Sequence, residues 1–366
     1  MEVTLKSRCH GHPLEAMAYP ITPIGMHYLL IHYDIPFLDA AHRLEVGGLV
    51  DRPLSLDLDD LRRRPRVTMP VTLECCGNGR MSMRNRLWPH VPWNHEAIGT
   101  AEWTGTPLRG VLADAGIRPE AVDVVFTGLD KGIQGDRVQH FQRSLSVEHA
   151  QADEVLLAYE INGQPLPPQH GHPLRLIVPG WLGMASVKWL GSIELIDRKF
   201  AGDQMRWYST AVADDDPAFV PCTHNKVRSL MIPPGVPDFF SRFRWLEEAD
   251  EVELRGRAWV GGGVALRSVE VSVDAGATWQ PARLEPAPGP FAWSGWSFTW
   301  RDVRPGYYTL LTRATDANGQ GQDMQETWNY YAMDHTKPQA VDVEVLPRGA
   351  LEPGSRVASP PRFPTL

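Results

Sequence analysis

One short stretch concentrates residue types from which chemistry is built: Thr72-Leu73-Glu74-Cys75-Cys76-Gly77-Asn78-Gly79-Arg80. A cysteine thiolate is a strong nucleophile and a soft ligand for transition metals, and nearby positive charge favours its deprotonated form. Arg80 supplies such a charge five residues beyond Cys75, while the glycines leave backbone amides open to an anion. The other reading is a chemically silent cysteine buried at a strand end, since free cysteine packs as a small hydrophobe. The stretch by itself leaves both readings open. The four cysteines, Cys9, Cys75, Cys76 and Cys222, show no paired zinc spacing, and a bridge between the adjacent two would strain the backbone. The thiols therefore read as reduced, structural or catalytic, as in a cytosolic protein. Of 13 histidines, His140, His170 and His172 come nearest to a group, without zinc-type spacing; their expected role is structural, or contact with a cofactor.

A fold exposes a reactive side chain by ending a strand in a glycine-rich turn. The sequence predicts such a strand over 66–73, running directly into Cys75. Around it the pattern predicts strands over 28–35 and 43–50 and a helix over 56–64 capped by Ser55 or Asp57. A helix over 108–115 closed by Gly116 follows, then strands over 122–127, 154–161 and 174–178, with Asn162-Gly163 as a tight turn. Short strands, scattered helices and long loops argue for an α+β domain. Composition shifts between Pro217 and Pro237. Beyond that, period-two segments at 252–256, 269–273, 294–300 and 307–314, separated by glycine turns, predict an immunoglobulin-like β-sandwich with the tryptophans of 279–300 in its core. The expected domains are 1–215, 216–340 and a proline-rich surface tail from 341 to 366.

Composition removes several function classes. With 366 residues the chain can bury a sizeable core, and 32 glycines with 32 prolines favour turns and short strands over long helices. A net charge of −8, mixed along the chain, lacks the basic face that phosphate neutralisation demands, so no nucleic-acid partner is expected. No apolar run reaches membrane-spanning length and no leader is visible at Met1, so a cytoplasmic location is expected.

The Cys75 stretch resembles the cysteine motif of the sulfite oxidase family, Thr-Leu-x-Cys-Ala-Gly-Asn-x-Arg, with Cys76 in place of the small residue. Further segments resemble the family in the same order: 97–105, 157–167 (Leu-Ala-Tyr-Glu-Ile-Asn-Gly-Gln-Pro-Leu-Pro), 170–175, 178–180 and 187–190. In the C-terminal half, 258–263 and 271–279 resemble the family's dimerisation domain, so the likeness runs over roughly residues 20 to 330. The resemblance implies a sulfite-oxidase-type molybdopterin-binding domain, a molybdenum cofactor with Cys75 as metal ligand, and a homodimer. It further implies cofactor contacts from Tyr33, Asp34, Asp130, His170, Arg175, Ser186, Val187 and Lys188, with Arg175 and Lys188 suited to a phosphate.

For catalysis the resemblance implies Arg80, Tyr208 and His32. Two further arginines of the sulfite-oxidising members fall here on His32 and on or near Val264, with Arg198 or Arg206 as candidate replacements. The implied activity is oxygen-atom transfer at a mononuclear molybdenum-oxo centre, with sulfite as default substrate. Another small oxyanion, or an S- or N-oxide, is the alternative within that chemistry; a scaffold without turnover is the alternative outside it. No Cys-x-x-Cys-His haem motif is present, so the resemblance implies a separate electron acceptor such as a cytochrome or a quinone pool.

Overall fold

A computed structural model of the chain describes residues 2–3, 9–38, 41–86, 90–214, 216–239, 241–355 and 357. Two compact units interleave in sequence. The first holds Met1–Pro13, Ile21–Asn225 and Thr327–His335; the second holds Leu14–Pro20, Lys226–Glu326 and Thr336–Leu366. The border expected at 215 is thus corrected to Asn225, and Thr327–His335 returns to the first unit after most of the second has been traversed.

The first unit is built on two five-stranded sheets over one core. One runs in the order Gln164–Pro165, Leu156–Ile161, Ile98–Pro107, Val67–Glu74, with Arg175–Ile177 also paired to Leu156–Ile161. The other runs Leu54–Leu56, Leu44–Gly48, Leu190–Ile196, Asp123–Gln134, Arg137–Ser146, all antiparallel except the pair Leu44–Gly48 with Leu190–Ile196. Val67–Glu74 pairs antiparallel with Ile98–Pro107 at the edge of its sheet, where Pro70, unable to donate to a ladder, is tolerated. The pairing continues one bond past the strand, from Cys75 N to Ala97 O at 2.9 Å, so the sheet itself fixes where Cys75 emerges.

Local chemistry explains the remaining supports. Leu108–Ala115 buries Leu108, Val111, Leu112 and Ala115, the 0, 3, 4, 7 stripe of a helix facing a core, and stops at Gly116 with φ 72°. Leu58–Arg62 begins at Asp57, whose carboxylate accepts from Asp60 N in a capping box; of the two expected caps Asp57 is the one used. Asn162 and Gly163 both take positive φ, the two-residue hairpin turn their types favour. The expected strand over 28–35 is corrected: apart from an isolated bridge between His10 and Leu29 the segment pairs with no strand, and four of its residues line a pocket instead. Helices are fewer and shorter than an α+β domain suggests. The longest among the described residues is Leu108–Ala115, and the architecture is mostly sheet.

The second unit has a four-stranded sheet, Arg228–Met231, Ala249–Trp259, Ser294–Val303, Arg283–Leu284, and a six-stranded one. The six-stranded order is Val236–Pro237, Arg244–Glu247, Ala340–Leu346, Gly306–Asp316, Leu266–Ser272, Gln280–Pro281. One core draws on both, with Trp296 and Trp300 facing Val269, Val271 and Leu310; Trp279 stays half-buried, stacked on Arg313. The expected surface tail is corrected here. Ala340–Leu346 is an inner strand whose alternate residues Val341, Val343 and Val345 are buried, a period-two signal that outweighs the surrounding prolines. Of the rest of that tail, residues 356 and 358–366 lie outside the described residues.

Candidate active site

The stretch at Cys75 is held from three sides. Asn78 donates from Nδ2 to Glu74 Oε1 at 3.1 Å and accepts at Oδ1 from Ala97 N at 3.1 Å, tying the turn back to the neighbouring strand. Asn78 N donates to Cys75 O, and the Gly77 amide donates to the Cys75 sulfur. The Arg80 guanidinium lies folded against Gly77, where a Cβ would force it to move. Burial pushes the Cys75 thiol up; Arg80 and the Gly77 amide pull it the other way, toward the thiolate.

Arg80 is 5 % exposed. Its Nη2 donates to Met333 Sδ at 3.2 Å, its Nε has no hydrogen-bond partner, and it forms no ion pair among the described residues. Met333 is set by reciprocal bonds with Asn329, and Asp334 N donates to Cys76 O at 2.7 Å, so the returning Thr327–His335 segment forms this side of the site. Cys76, in contrast, turns its thiol toward Cys222, and burial followed by that contact keeps it protonated. It belongs to the packing.

Cys75 and Cys76 open into a pocket lined in part by His27, Tyr28, His32, Asp130, His170, Arg175, Ser186, Val187, Lys188 and Tyr208. Its far end is cationic. Arg175, buried, donates to His170 O at 3.0 Å and Ser186 O at 2.9 Å and stacks on Trp103, with Nε unpartnered. Lys188, partly buried, donates to Leu30 O at 2.8 Å and Gln169 O at 3.1 Å and lies 4.4 Å from the Trp189 ring centre. Neither forms an ion pair among the described residues. A Cβ at Gly171, which sits at φ 105°, would stand 3.1–3.2 Å from the Cβ atoms of Lys188 and Arg175, so the glycine lets the chain pass close to both.

Arg175 faces no carboxylate and Lys188 faces only the buried Asp130, and buried positive charge is costly unless an anion joins it, so this pair fits a phosphate. Burial, then neighbouring Arg175, pushes Lys188 down from 10.5 to about 7, and Arg175 is pushed down by burial to about 10. His170 and His27 pack edge to face at 5.6 Å; burial pushes them down to about 2 and about 3, so both are neutral donors or acceptors for a polar ligand. The Asp130 carboxyl is pushed up to about 6 by burial, against the pull of Lys188. Among the described residues no three His, Cys, Asp or Glu side chains converge on a metal position. The donor set therefore fits a metal that takes one protein thiolate, Cys75, and its other ligands from a bound cofactor.

The Lys188 shift has a measurable sign. Between pH 7 and 10.5 the unfolded chain binds a proton at this lysine that the cofactor-free folded protein does not, so its stability rises with pH there. A phosphate beside Nζ restores the charged form. Thermal melts of cofactor-free protein are expected to shift upward from pH 7 to 9, and melts of loaded protein to do so less. Equal slopes would show that no anion meets Lys188.

At the other wall Tyr208 and His32 face each other, the hydroxyl within 2.9 Å of Nε2 and 3.0 Å of Nδ1. Burial and then Lys188 push His32 down to about 4, and burial pushes Tyr208 well up, so a neutral imidazole meets a protonated phenol. Not every expected residue joins them. Tyr33 bonds Gln134 and Gln204, Asp34 is exposed and accepts from Ile35 N, and neither lines the pocket. Arg80 lies behind Cys75 and Gly77 without lining it. His140 hydrogen-bonds Asp130 O, and His172 is exposed. The candidate replacement arginines are corrected: Arg198 pairs with Asp197 at the surface, and Arg206 bonds Asp214 O beside Phe219. Val264 lies in the second unit, where it lines a pocket with Trp259 and Pro286. His27 and Tyr28 carry no motif that marks them in the sequence; Tyr28 opens the apolar run that reads as a strand, and His27 lies just before it.

Residues 32–204 match the oxidoreductase molybdopterin binding domain family, and residues 227–345 match the Mo-co oxidoreductase dimerisation domain family. The chain is 37 % identical over 279 residues to mitochondrial sulfite oxidase of Mus musculus, covering 72 % of this chain and 49 % of that protein. It is 33 % identical over 332 residues to sulfite oxidase of Gallus gallus, covering 84 % and 70 %. It thus spans about half the length of the first of these relatives. Among solved structures, the sulfane dehydrogenase SoxCD from Paracoccus pantotrophus superposes with a TM-score of 0.80 at 26 % identity, over 94 % of this chain and 87 % of that one.

Proposed function

Because the chain belongs to the sulfite oxidase family of molybdopterin-dependent oxidoreductases, we propose that it transfers an oxygen atom to a small sulfur oxyanion, sulfite by default, and passes the electrons to a separate acceptor such as a cytochrome. The observation that carries this reading is one pocket lined by Cys75 together with Arg175 and Lys188, neither of which forms an ion pair among the described residues. The family's cofactor is molybdopterin carrying molybdenum, and when bound it supplies a centre able to exchange both an oxygen atom and two electrons.

The chain's own part is binding, orientation and charge. Arg175 and Lys188 hold the phosphate, one as a planar fork and the other as a point charge. His170, Asp130, Ser186 and Val187 flank the pterin, and Cys75 ligates the metal, its thiolate favoured by Arg80 and the Gly77 amide. Tyr208 keeps its proton and hydrogen-bonds neutral His32, which fixes the hydroxyl at the substrate wall. Arg80 adds positive charge where an anion arrives. The two sheets of the second unit read as an immunoglobulin-like sandwich, and with its match to a dimerisation family we propose a homodimer.

Two features favour a second substrate within the same chemistry. His32 stands where the resemblance places an anion-binding arginine, and Met333 already occupies Arg80. An S- or N-oxide would need less positive charge than a dianion. Protein from a cofactor-competent host is expected to hold stoichiometric molybdenum and pterin, to sediment as a dimer, and to reduce ferricyanide or cytochrome c on addition of sulfite. Metal without a sulfite-dependent rate would discard sulfite as substrate. Loss of both metal and pterin would discard the enzyme reading in favour of a scaffold.

A further inference from the structure

Arg143 was assigned no role by its sequence context, yet its surroundings are unusual. It is 2 % exposed and lies in the strand Arg137–Ser146, with its guanidinium carbon 5.9 Å from the centre of the Tyr208 ring. It forms no ion pair among the described residues, and its Nε has no hydrogen-bond partner. A buried cation with no counter-ion is expensive, and proteins keep one where its field is used.

Its two bonds also have a pattern. Nη1 donates to Gln204 O at 2.6 Å and Nη2 to Cys222 O at 3.2 Å. Those same two residues hold the backbone of Tyr208: Tyr208 N donates to Gln204 O at 3.4 Å, and Cys222 N donates to Tyr208 O at 2.8 Å. The guanidinium therefore spans both flanks of the tyrosine and places one positive charge behind its ring. The groups facing it are Cys76, Cys222 and Tyr208, none of which is a carboxylate.

We propose that Arg143 is a positioning residue for the substrate wall, holding Tyr208 in place and supplying from behind it the positive charge that His32 does not provide. This rests on the reading of Tyr208 and His32 as the wall that meets the substrate anion. Arg143 acts through Tyr208 and through its field, which a low-dielectric interior screens poorly. It accounts for retention of an oxyanion site although one expected arginine position holds a neutral imidazole.

The test uses the loaded enzyme and two readouts, the KM for sulfite and the upward melting shift produced by sulfate against sodium chloride of equal ionic strength. Arg143→Gln is expected to raise KM tenfold or more and to remove most of the sulfate shift, with a smaller change in kcat. Arg143→Lys, which keeps the charge, is expected to stay within threefold of wild type in KM and to keep the shift. A Gln variant with wild-type KM and a wild-type sulfate shift, merely less stable, would overturn the proposal. So would a Lys variant as impaired as the Gln variant. If Arg143→Gln does not accumulate, Arg143→Met is the second neutral variant; if neither accumulates, a KM raised more than threefold by Arg143→Lys overturns the proposal. Absent sulfite turnover in wild type would refute the proposed reaction instead, and the sulfate arm would still decide the role of Arg143.

Discussion

Replacing Cys75 by serine is expected to cut the sulfite-dependent rate by about a thousandfold or more, the equivalent of roughly 4 kcal/mol of lost transition-state stabilisation. The substitution is close to isosteric, and a hydroxyl still accepts the Gly77 amide bond, so the turn between Glu74 and Arg80 has no reason to rearrange. What changes is chemical. A thiol becomes a soft anionic ligand once a metal displaces its proton, aided by Arg80, whereas an alcohol at this position stays neutral and hard. The measurement pairs steady-state rates with molybdenum and pterin contents and a melting curve. A variant that keeps more than a tenth of the rate would remove Cys75 from the metal. One that loses rate and also melts far lower would point to a cysteine that merely packs.

Arg175→Met is expected to lose pterin and molybdenum, to below a tenth of wild-type content, while leaving the cofactor-free fold nearly as stable as before. Two opposing effects produce that outcome. Methionine leaves His170 O and Ser186 O unpaired and gives up the stacking on Trp103, at about 1–3 kcal/mol for each stranded group. It also removes a buried charge that has no counter-ion, and relief of that desolvation is of similar size. The bound phosphate alone sees the loss uncompensated. Pterin fluorescence after denaturation, set against chemical unfolding of the cofactor-free proteins, separates the two. Full pterin content in the variant would move the phosphate elsewhere.

The legible parts of this molecule are those where neighbouring residues decide the outcome. The Leu108–Ala115 helix was readable to the residue, because its apolar stripe and Gly116 act locally. The strand feeding Cys75 and the Asn162-Gly163 turn were readable for the same reason. The 28–35 run failed because apolar character says that a segment is buried and leaves open whether it meets a strand or a pocket. The 340–346 strand was hidden by prolines on either side, although Val341, Val343 and Val345 carried its period.

At the site, residues inside contiguous motifs came together where expected: Cys75, His170, Arg175 and Lys188 all line one pocket. The exceptions follow a rule. His27, Arg143 and Met333 reach the site because topology brings distant segments beside it, and no spacing along the chain records that. Tyr33 failed in the opposite way: next to His32 on an extended backbone its side chain leaves toward Gln134 and Gln204, while Asp34 stays exposed.

The return of Thr327–His335 into the first unit has a consequence for the order in which the protein is made. A ribosome releases the chain from its N-terminus, so Lys226–Glu326 is synthesised before Asn329 and Met333 exist. Until then Arg80 has no Met333 against it, and Cys76 O lacks the amide of Asp334. The side of the site next to Cys75 is therefore incomplete until Thr327–His335 has been made.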